Sequence, residues 1–279
     1  MPFVDVGDAR IHYKVTGPVD GEPIVLVMGL GMDMSGWDAM MPFLKDYRVL
    51  RVDNRGAGKS DAPDTAYTIP GMAADTVAVM GAAGMDTAHV YGASLGSMIA
   101  QEIALSHRDR VRTLVLGCPS PGVISMPGSL GILRLMRSRE HYTQDEMFRR
   151  AAPYLFHRAL ADPAALEEAL RQRTSAPMSP VGYRRQLEAV LRWSSLPRLP
   201  FLRVPMLVIH GDHDRLIPTI NGRLIARLVR GAKLHIIKGA GHVYSVDAPG
   251  EAAREVVRFL ESQVPARGRG VARATLGAR

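Results

Sequence analysis

The chain lacks three features that are typical of secreted and membrane proteins. It has a single cysteine, Cys118, in 279 residues, so no disulfide can form within it. No apolar run reaches the roughly 18 residues that a membrane-spanning helix needs. Residues 1–6 have neither the basic nor the apolar region of a signal peptide. We therefore expect a cytoplasmic protein with no membrane partner.

Acidic residues are fewer than basic ones, and the formal net charge is +8. Four arginines in 265–279, a Gly/Ala/Arg-rich segment without an acidic residue, account for part of this excess, and their removal takes +8 to +4. The segment has none of the interleaved aromatic residues that stack on bases. We predict a flexible basic tail and no nucleic-acid partner, with a nucleic-acid-binding arm as the alternative interpretation.

Short β-branched or aliphatic runs alternate with helical patterns along most of the chain, which predicts a mostly parallel sheet flanked by helices. The 47% of hydrophobic residues are enough for a buried core. Strands are expected at 3–6, 9–15, 24–28, 49–53, 88–91, 113–117, 206–210 and 233–237, and helices at 71–84, 95–106, 219–229 and 249–263.

The alternation stops between Cys118 and Met206, where only helical patterns and prolines are found. These patterns lie around 129–138, 143–151, 163–173 and 180–192. We predict a helical cap at 121–200, inserted between the core segments 1–120 and 201–264. Such an insertion would cover the carboxyl edge of the sheet, where open α/β sheets bind their ligands.

Residues 92–96 read Gly-Ala-Ser-Leu-Gly, between a predicted strand and a predicted helix. In a G-x-S-x-G turn of this kind the glycines give the backbone room and the hydroxyl of Ser94 projects from the sheet as a nucleophile. The N–H of Leu95, which opens the helix, would then face a developing oxyanion. The alternative is a glycine-rich connection without chemistry.

A serine nucleophile needs a base, and the base needs an acceptor that fixes its tautomer. Asp214 follows the strand at 206–210, and His242 follows the strand at 233–237 in a Gly-Ala-Gly-His sequence. The chain order Ser, Asp, His is the one expected when all three project from one sheet edge. Asp212 is the alternative acid, and His210 is interpreted as structural.

These three motifs resemble the α/β-hydrolase fold over residues 1–264. The resemblance implies an eight-stranded, mostly parallel sheet with a helical cap, and it assigns the nucleophile to Ser94, the acid to Asp214 and the base to His242. It also implies a second oxyanion donor after the third strand, the backbone N–H of Leu30, next to a methionine where many relatives have histidine. The Asp53–Ser60 loop is interpreted as a brace near this site.

Serine chemistry of this type implies an acyl-enzyme, with no cofactor and no metal. We expect an ester, thioester or lactone of a small, largely apolar molecule as substrate. Met34 and Trp37, with Trp193 from the cap, are candidates for the pocket, and ordinary core packing is the alternative for the methionines.

Three other functions stay open on the same fold. Carbon–carbon bond hydrolases carry a related loop, but usually with a polar residue where Leu30 stands. Some members catalyse acyl transfer or cyclisation. A ligand receptor on a hydrolase scaffold would keep the pocket and have slow turnover or none.

Overall fold

The computed structural model describes residues 2–138, 141–174 and 179–263, so the predicted tail, 265–279, lies outside the described residues. Eight strands form one sheet in the order β1-β2-β4-β3-β5-β6-β7-β8. They are β1 (Phe3–Asp5), β2 (Arg10–Thr16), β3 (Glu22–Val27), β4 (Tyr47–Val52), β5 (Ala88–Ala93), β6 (Val111–Gly117), β7 (Met206–Gly211) and β8 (Lys233–Ile237). The β1–β2 and β2–β4 pairs are antiparallel and the other five are parallel. The predicted eight-stranded, mostly parallel sheet is confirmed.

The α-helices of the described residues follow the strands in the expected alternation. They are α1 (Ile69–Ala82), α2 (Leu95–Ser106), α3 (Leu130–Arg137), α4 (Gln144–Leu155), α5 (Pro163–Thr174), α6 (Pro180–Val190), α7 (Ile220–Leu228), α8 (Tyr244–Asp247) and α9 (Pro249–Gln263). Short 3₁₀ segments lie at Met34–Phe43, Arg108–Arg110, Ala159–Ala161 and Leu199–Phe201. Among these described helices, none combines the length and the apolar character that a bilayer span requires.

The sheet is buried on both faces, which is why its strands read as continuous apolar runs. Side chains alternate between the faces: Val25 and Val27 of β3 join a core with α1, α2 and α7. Ile24 and Leu26 of the same strand join a second core with α9 and the 3₁₀ segment that starts at Met34. The central strands are therefore held rigidly between two layers.

The predicted helical insertion is confirmed, since α3 to α6 lie between β6 and β7 in the chain. Its apolar side chains form a third core that includes Ala151, Leu155 and Leu170. The same core contains Val243, which lies just beyond the carboxyl end of β8. The insertion therefore packs on the edge of the sheet at which the candidate residues lie.

Candidate active site

Ser94 lies in the tight turn between β5 and α2. Its φ of 57° is in the left-handed region, a strained conformation for a residue with a side chain. A Cβ on Gly92 would lie 2.0 Å from the carbonyl oxygen of Gly96, and one on Gly96 would lie 2.0 Å from that of Val27. Only glycine fits at both positions, as the elbow interpretation of 92–96 expects.

Asp214 lies in the loop after β7, and its side chain is fully buried. Its Oδ1 accepts hydrogen bonds from the N–H groups of Leu216 at 2.9 Å and Ile217 at 2.8 Å. Its Oδ2 lies 2.7 Å from Nδ1 of His242. Burial raises the pKa of this carboxyl, but the charge and hydrogen bonds of His242 and His210 outweigh burial and leave the pKa well below its ordinary value. Asp214 is therefore ionised at neutral pH and orients the imidazole of His242.

His210, at the end of β7, makes a second contact with the same carboxylate. Its Nε2 lies 3.1 Å from Oδ2 of Asp214 and 2.8 Å from the carbonyl oxygen of Ile217. A carbonyl only accepts, so Nε2 carries the proton. No sequence pattern predicted this contact, and the one signal for it was a histidine four residues before the acid.

Asp212, the alternative acid, has different partners. Its Oδ1 accepts from the N–H of Gly239 at 2.7 Å and lies 2.7 Å from Nδ1 of His213. These contacts tie the loop after β7 to the loop after β8. The structure therefore brings Asp214, and not Asp212, into contact with His242.

The two candidate oxyanion donors lie on either side of Ser94. Leu95 is the first residue of α2, where backbone N–H groups are free of helical partners. Leu30 lies in a turn closed by a hydrogen bond from Met32 N–H to the Gly29 carbonyl, 3.2 Å long. A Cβ on Gly29 would lie 3.2 Å from Cβ of Ser94, so this turn packs directly against the elbow.

The Asp53–Ser60 loop holds the segment after β3, as the brace interpretation expects. The Asn54 amide donates to the carbonyl of Met28 at 2.9 Å, and Oδ1 of Asp53 accepts from the N–H of Met34 at 2.7 Å. Both residues are buried. These two contacts flank the turn that contains Leu30.

A cavity of about 130 Å³ lies between the sheet edge and the insertion. Ser94 and His242 both line it, together with Leu30 and Trp37. The rest of its wall is mostly apolar, and the insertion contributes Ile132, Met136, Met147, Phe148 and Leu155 to it. A ligand in this cavity would be in contact with the candidate nucleophile and base and would be enclosed by apolar side chains.

Two of the three predicted pocket residues lie elsewhere, so those predictions are wrong. Met34 is buried at the start of its 3₁₀ segment, outside the cavity wall. Trp193 lies in the core on the α1/α2 face of the sheet, and its indole N–H donates to Oε2 of Glu102 at 2.7 Å. The chain has returned from the insertion to the sheet by this point. Trp37 alone of the three lines the cavity.

Cys118, His210 and Asp214 are the one group of three potential metal ligands in the described part of the chain, with atoms within 4.8 Å of one another. Their hydrogen bonds involve protons that a metal would displace. Nε2 of His210 is protonated, and Sγ of Cys118 donates to the carbonyl of His242 at 3.0 Å. Burial, and then the charge of Asp214, raise the pKa of the thiol well above its ordinary value. Since a metal needs thiolate and free lone pairs, the group fits a hydrogen-bonded network better than a coordination site.

Comparisons with known proteins agree with this architecture. The chain is 32% identical over 247 residues to a poly(3-hydroxyalkanoate) depolymerase from Ectopseudomonas oleovorans, covering 86% of this chain and 85% of the relative. It is 32% identical over 253 residues to the pimeloyl-[acyl-carrier protein] methyl ester esterase of Methylococcus capsulatus, covering 87% and 96%. The crystal structure of an enol-lactonase from Burkholderia xenovorans LB400 matches with a TM-score of 0.81 at 27% identity, covering 93% of this chain and 100% of that one. The sequence model described as alpha/beta hydrolase fold matches residues 22–249, and the chain therefore belongs to the α/β-hydrolase fold family.

Proposed function

We propose that this protein is a serine hydrolase that cleaves an ester, thioester or lactone of a small, largely apolar molecule. Ser94 is the nucleophile, His242 the general base and Asp214 the residue that orients the base. One observation carries the proposal: Ser94 and His242 line the same apolar cavity, and the buried carboxylate of Asp214 contacts Nδ1 of His242. The ester and lactone substrates in the names of two relatives support this bond class.

The first half-reaction forms the acyl-enzyme. Nε2 of His242 accepts the hydroxyl proton of Ser94 as Oγ attacks the carbonyl carbon, and Asp214 stabilises the imidazolium. The N–H groups of Leu30 and Leu95 stabilise the negative oxygen of the tetrahedral intermediate. When this intermediate collapses, His242 returns the proton to the leaving oxygen or sulfur, and the alcohol or thiol departs.

The second half-reaction repeats these roles with water. Nε2 of His242 takes a proton from the water that attacks the acyl carbon, and the same N–H groups hold the oxyanion. His242 then protonates Oγ of Ser94, which releases the carboxylic acid. Only a neutral imidazole can accept these protons.

Labelling with a fluorophosphonate tests the nucleophile. We expect one adduct on the wild type by intact-protein mass spectrometry and none on Ser94→Ala, because the reagent requires an activated hydroxyl. The wild type should also hydrolyse short-chain 4-nitrophenyl esters. An unlabelled wild-type protein would refute the proposal.

The acid is tested by a matched pair of aspartates in one loop. Asp214→Asn should lower kcat by about 10⁴, because an amide favours the wrong tautomer of His242. Asp212→Asn should stay within about threefold of the wild type, since Asp212 contacts only the loop. The reverse ranking in ester hydrolysis would move the acid to Asp212.

A further inference from the structure

A buried glutamine connects the helical insertion to the turn that contains Leu30. Gln186 lies on α6 and is fully buried. Its Oε1 accepts from the N–H of Gly31 at 2.8 Å, and its Nε2 donates to the carbonyl of Arg55 at 2.7 Å. The side-chain amide therefore bridges two loops that leave neighbouring strands, β3 and β4.

The backbone of α6 approaches these loops closely enough for the bridge to form. A Cβ on Gly182 would lie 2.1 Å from the carbonyl oxygen of Gly56, so only glycine allows the contact. Gly182 lies one helical turn before Gln186, on the same side of the helix. The direct backbone contact fixes the distance between α6 and the loop after β4. It places the amide of Gln186 within hydrogen-bond distance of both partners.

The bridge holds the peptide next to the candidate oxyanion donor. Leu30 and Gly31 are the two central residues of the turn that Gly29 and Met32 close. The φ of Gly31 is +68°, the conformation that a type II turn requires at its third position. A hydrogen bond to the Gly31 N–H therefore fixes the central peptide of this turn, and with it the orientation of Leu30.

The other end of the bridge is fixed to the core. The guanidinium of Arg55 forms two hydrogen bonds with Asp75 on α1, at 2.6 and 2.8 Å, and both side chains are buried. Asn54, the preceding residue, holds the carbonyl of Met28. The carbonyl of Arg55 is therefore held in a fixed position. Through its two hydrogen bonds, Gln186 restrains the turn that contains Leu30 relative to this carbonyl.

We infer that Gln186 is a positioning residue that holds the N–H of Leu30 in place for oxyanion stabilisation, which rests on the proposed serine hydrolase function. Gln186 touches no reacting atom and acts through Gly31. Tyr183, three residues earlier on α6, lines the substrate cavity. One helix of the insertion therefore lines the cavity and also sets the geometry that stabilises the transition state.

The test compares Gln186→Met, which keeps the volume and loses both hydrogen bonds, with Gln186→Glu. The glutamate keeps an oxygen that accepts from Gly31 in either protonation state. On 4-nitrophenyl butyrate we expect kcat of the Met variant to fall about 10- to 100-fold, less than for full loss of a donor, with KM within about threefold. The Glu variant should recover part of that loss.

Two inhibitors separate positioning from general damage to the pocket. An alkyl trifluoromethyl ketone forms a tetrahedral adduct with the serine, whereas the parent methyl ketone binds mainly as the unreacted carbonyl. The Met variant should weaken the trifluoromethyl ketone by about the same factor as kcat and leave the methyl ketone unchanged. Equal weakening of both inhibitors would overturn the inference, because it would indicate a distorted pocket.

Gln101→Met is the matched control. Gln101 is also fully buried, and its amide donates to the carbonyls of Ser97 and Ser120. These partners lie outside the turn that contains Leu30, so kcat of the Gln101→Met variant should change by less than about threefold. Urea unfolding of every variant shows whether it is folded. If Gln186→Met does not fold, Gln186→Asn decides, because its shorter amide cannot span both partners. A folded Gln186 variant with the kcat of the wild type would refute this inference and leave the proposed function standing. A wild type that neither hydrolyses the ester nor forms the fluorophosphonate adduct would refute the proposed function.

Discussion

At the scale of single residues, two of the buried histidines of the sheet, His210 and His89, have different roles. His210 donates to Asp214 beside the candidate catalytic residues. His89, on β5, bonds through Nδ1 to the hydroxyl of Thr113 at 2.8 Å, and its Nε2 lies 3.9 Å from the nearest carboxylate oxygen of Glu22. Burial, and then the charge of Arg112, lower the pKa of His89 to about 4. His89 therefore stays neutral in the folded protein at pH values at which an unfolded chain would protonate it.

The lowered pKa of His89 predicts that mild acid destabilises the fold. The unfolded chain binds the proton near pH 6.5 and the folded chain only near pH 4, so stability falls as the pH drops through this window. Between pH 7.5 and pH 5 the free energy of unfolding should lose about 2 kcal/mol from this residue. Urea unfolding at pH 7.5 and pH 5 measures this loss. In His89→Gln the drop in the free energy of unfolding between the two pH values should be about 2 kcal/mol smaller than in the wild type.

Exposed His141 provides the control for this prediction. His141→Gln should show the same difference between pH 7.5 and pH 5 as the wild type, because it removes a histidine and leaves the buried site of His89 intact. If His89→Gln also keeps the full difference, another group causes the acid sensitivity and the neutral buried state of His89 is wrong.

Residues whose geometry is local were predictable from the sequence. The turn around Ser94 depends on five consecutive residues, so the spacing of its two glycines is enough to predict it. Asp214 and His242 are 28 residues apart, and their contact was expected only from the order in which parallel strands present their ends. Met34 and Trp193 were assigned wrongly, because apolar character alone does not say which buried surface a side chain joins.

At the scale of elements, the elbow joins β5 and α2 through glycines that no other residue can replace. Gly96→Ala should lower the free energy of unfolding by about 3 kcal/mol, since its Cβ would meet the carbonyl oxygen of Val27 at 2.0 Å on a central strand. Gly81→Ala, at an open position of α1, should raise it by about 0.5–1 kcal/mol. Urea denaturation measures both, and a harmless alanine at Gly96 would contradict the crowded turn.

Helix existence was easier to predict than helix ends. The periodicity of α4 predicts an end at 151, whereas the helix continues to Leu155 and includes Pro153. A capping box between Thr143 and Glu146 fixes its start, and contacts in the core of the insertion extend its last turn. Those contacts join residues that are distant in the sequence, so no local pattern predicts them.

At the scale of the whole molecule, the cavity belongs to the sheet edge and the insertion together. The core supplies the candidate chemistry through Ser94 and His242, and the insertion supplies one side of the apolar wall. Sequence patterns predicted both units. They did not predict which faces of α3 and α4 enclose the cavity, because amphipathic periodicity identifies an apolar face and leaves its partner open.

The apolar wall predicts that α4 limits the length of the acyl chain, whereas Ser94, His242 and the turn that contains Leu30 determine the rate of the chemical step. Met147 on α4 lines the cavity and is 7% exposed. Met147→Trp should fill the space for a longer acyl chain. Each methylene that loses its place costs about 0.8 kcal/mol, or roughly a factor of four. The ratio of kcat/KM for 4-nitrophenyl hexanoate to that for the acetate should therefore fall at least about tenfold, with the acetate value nearly unchanged.

Met126→Trp is the control. Met126 is 56% exposed, so this substitution should leave the ratio at its wild-type value. An equal loss on both esters would mean that Met147 supports the candidate catalytic residues themselves, and the separation of specificity from chemistry would then be wrong.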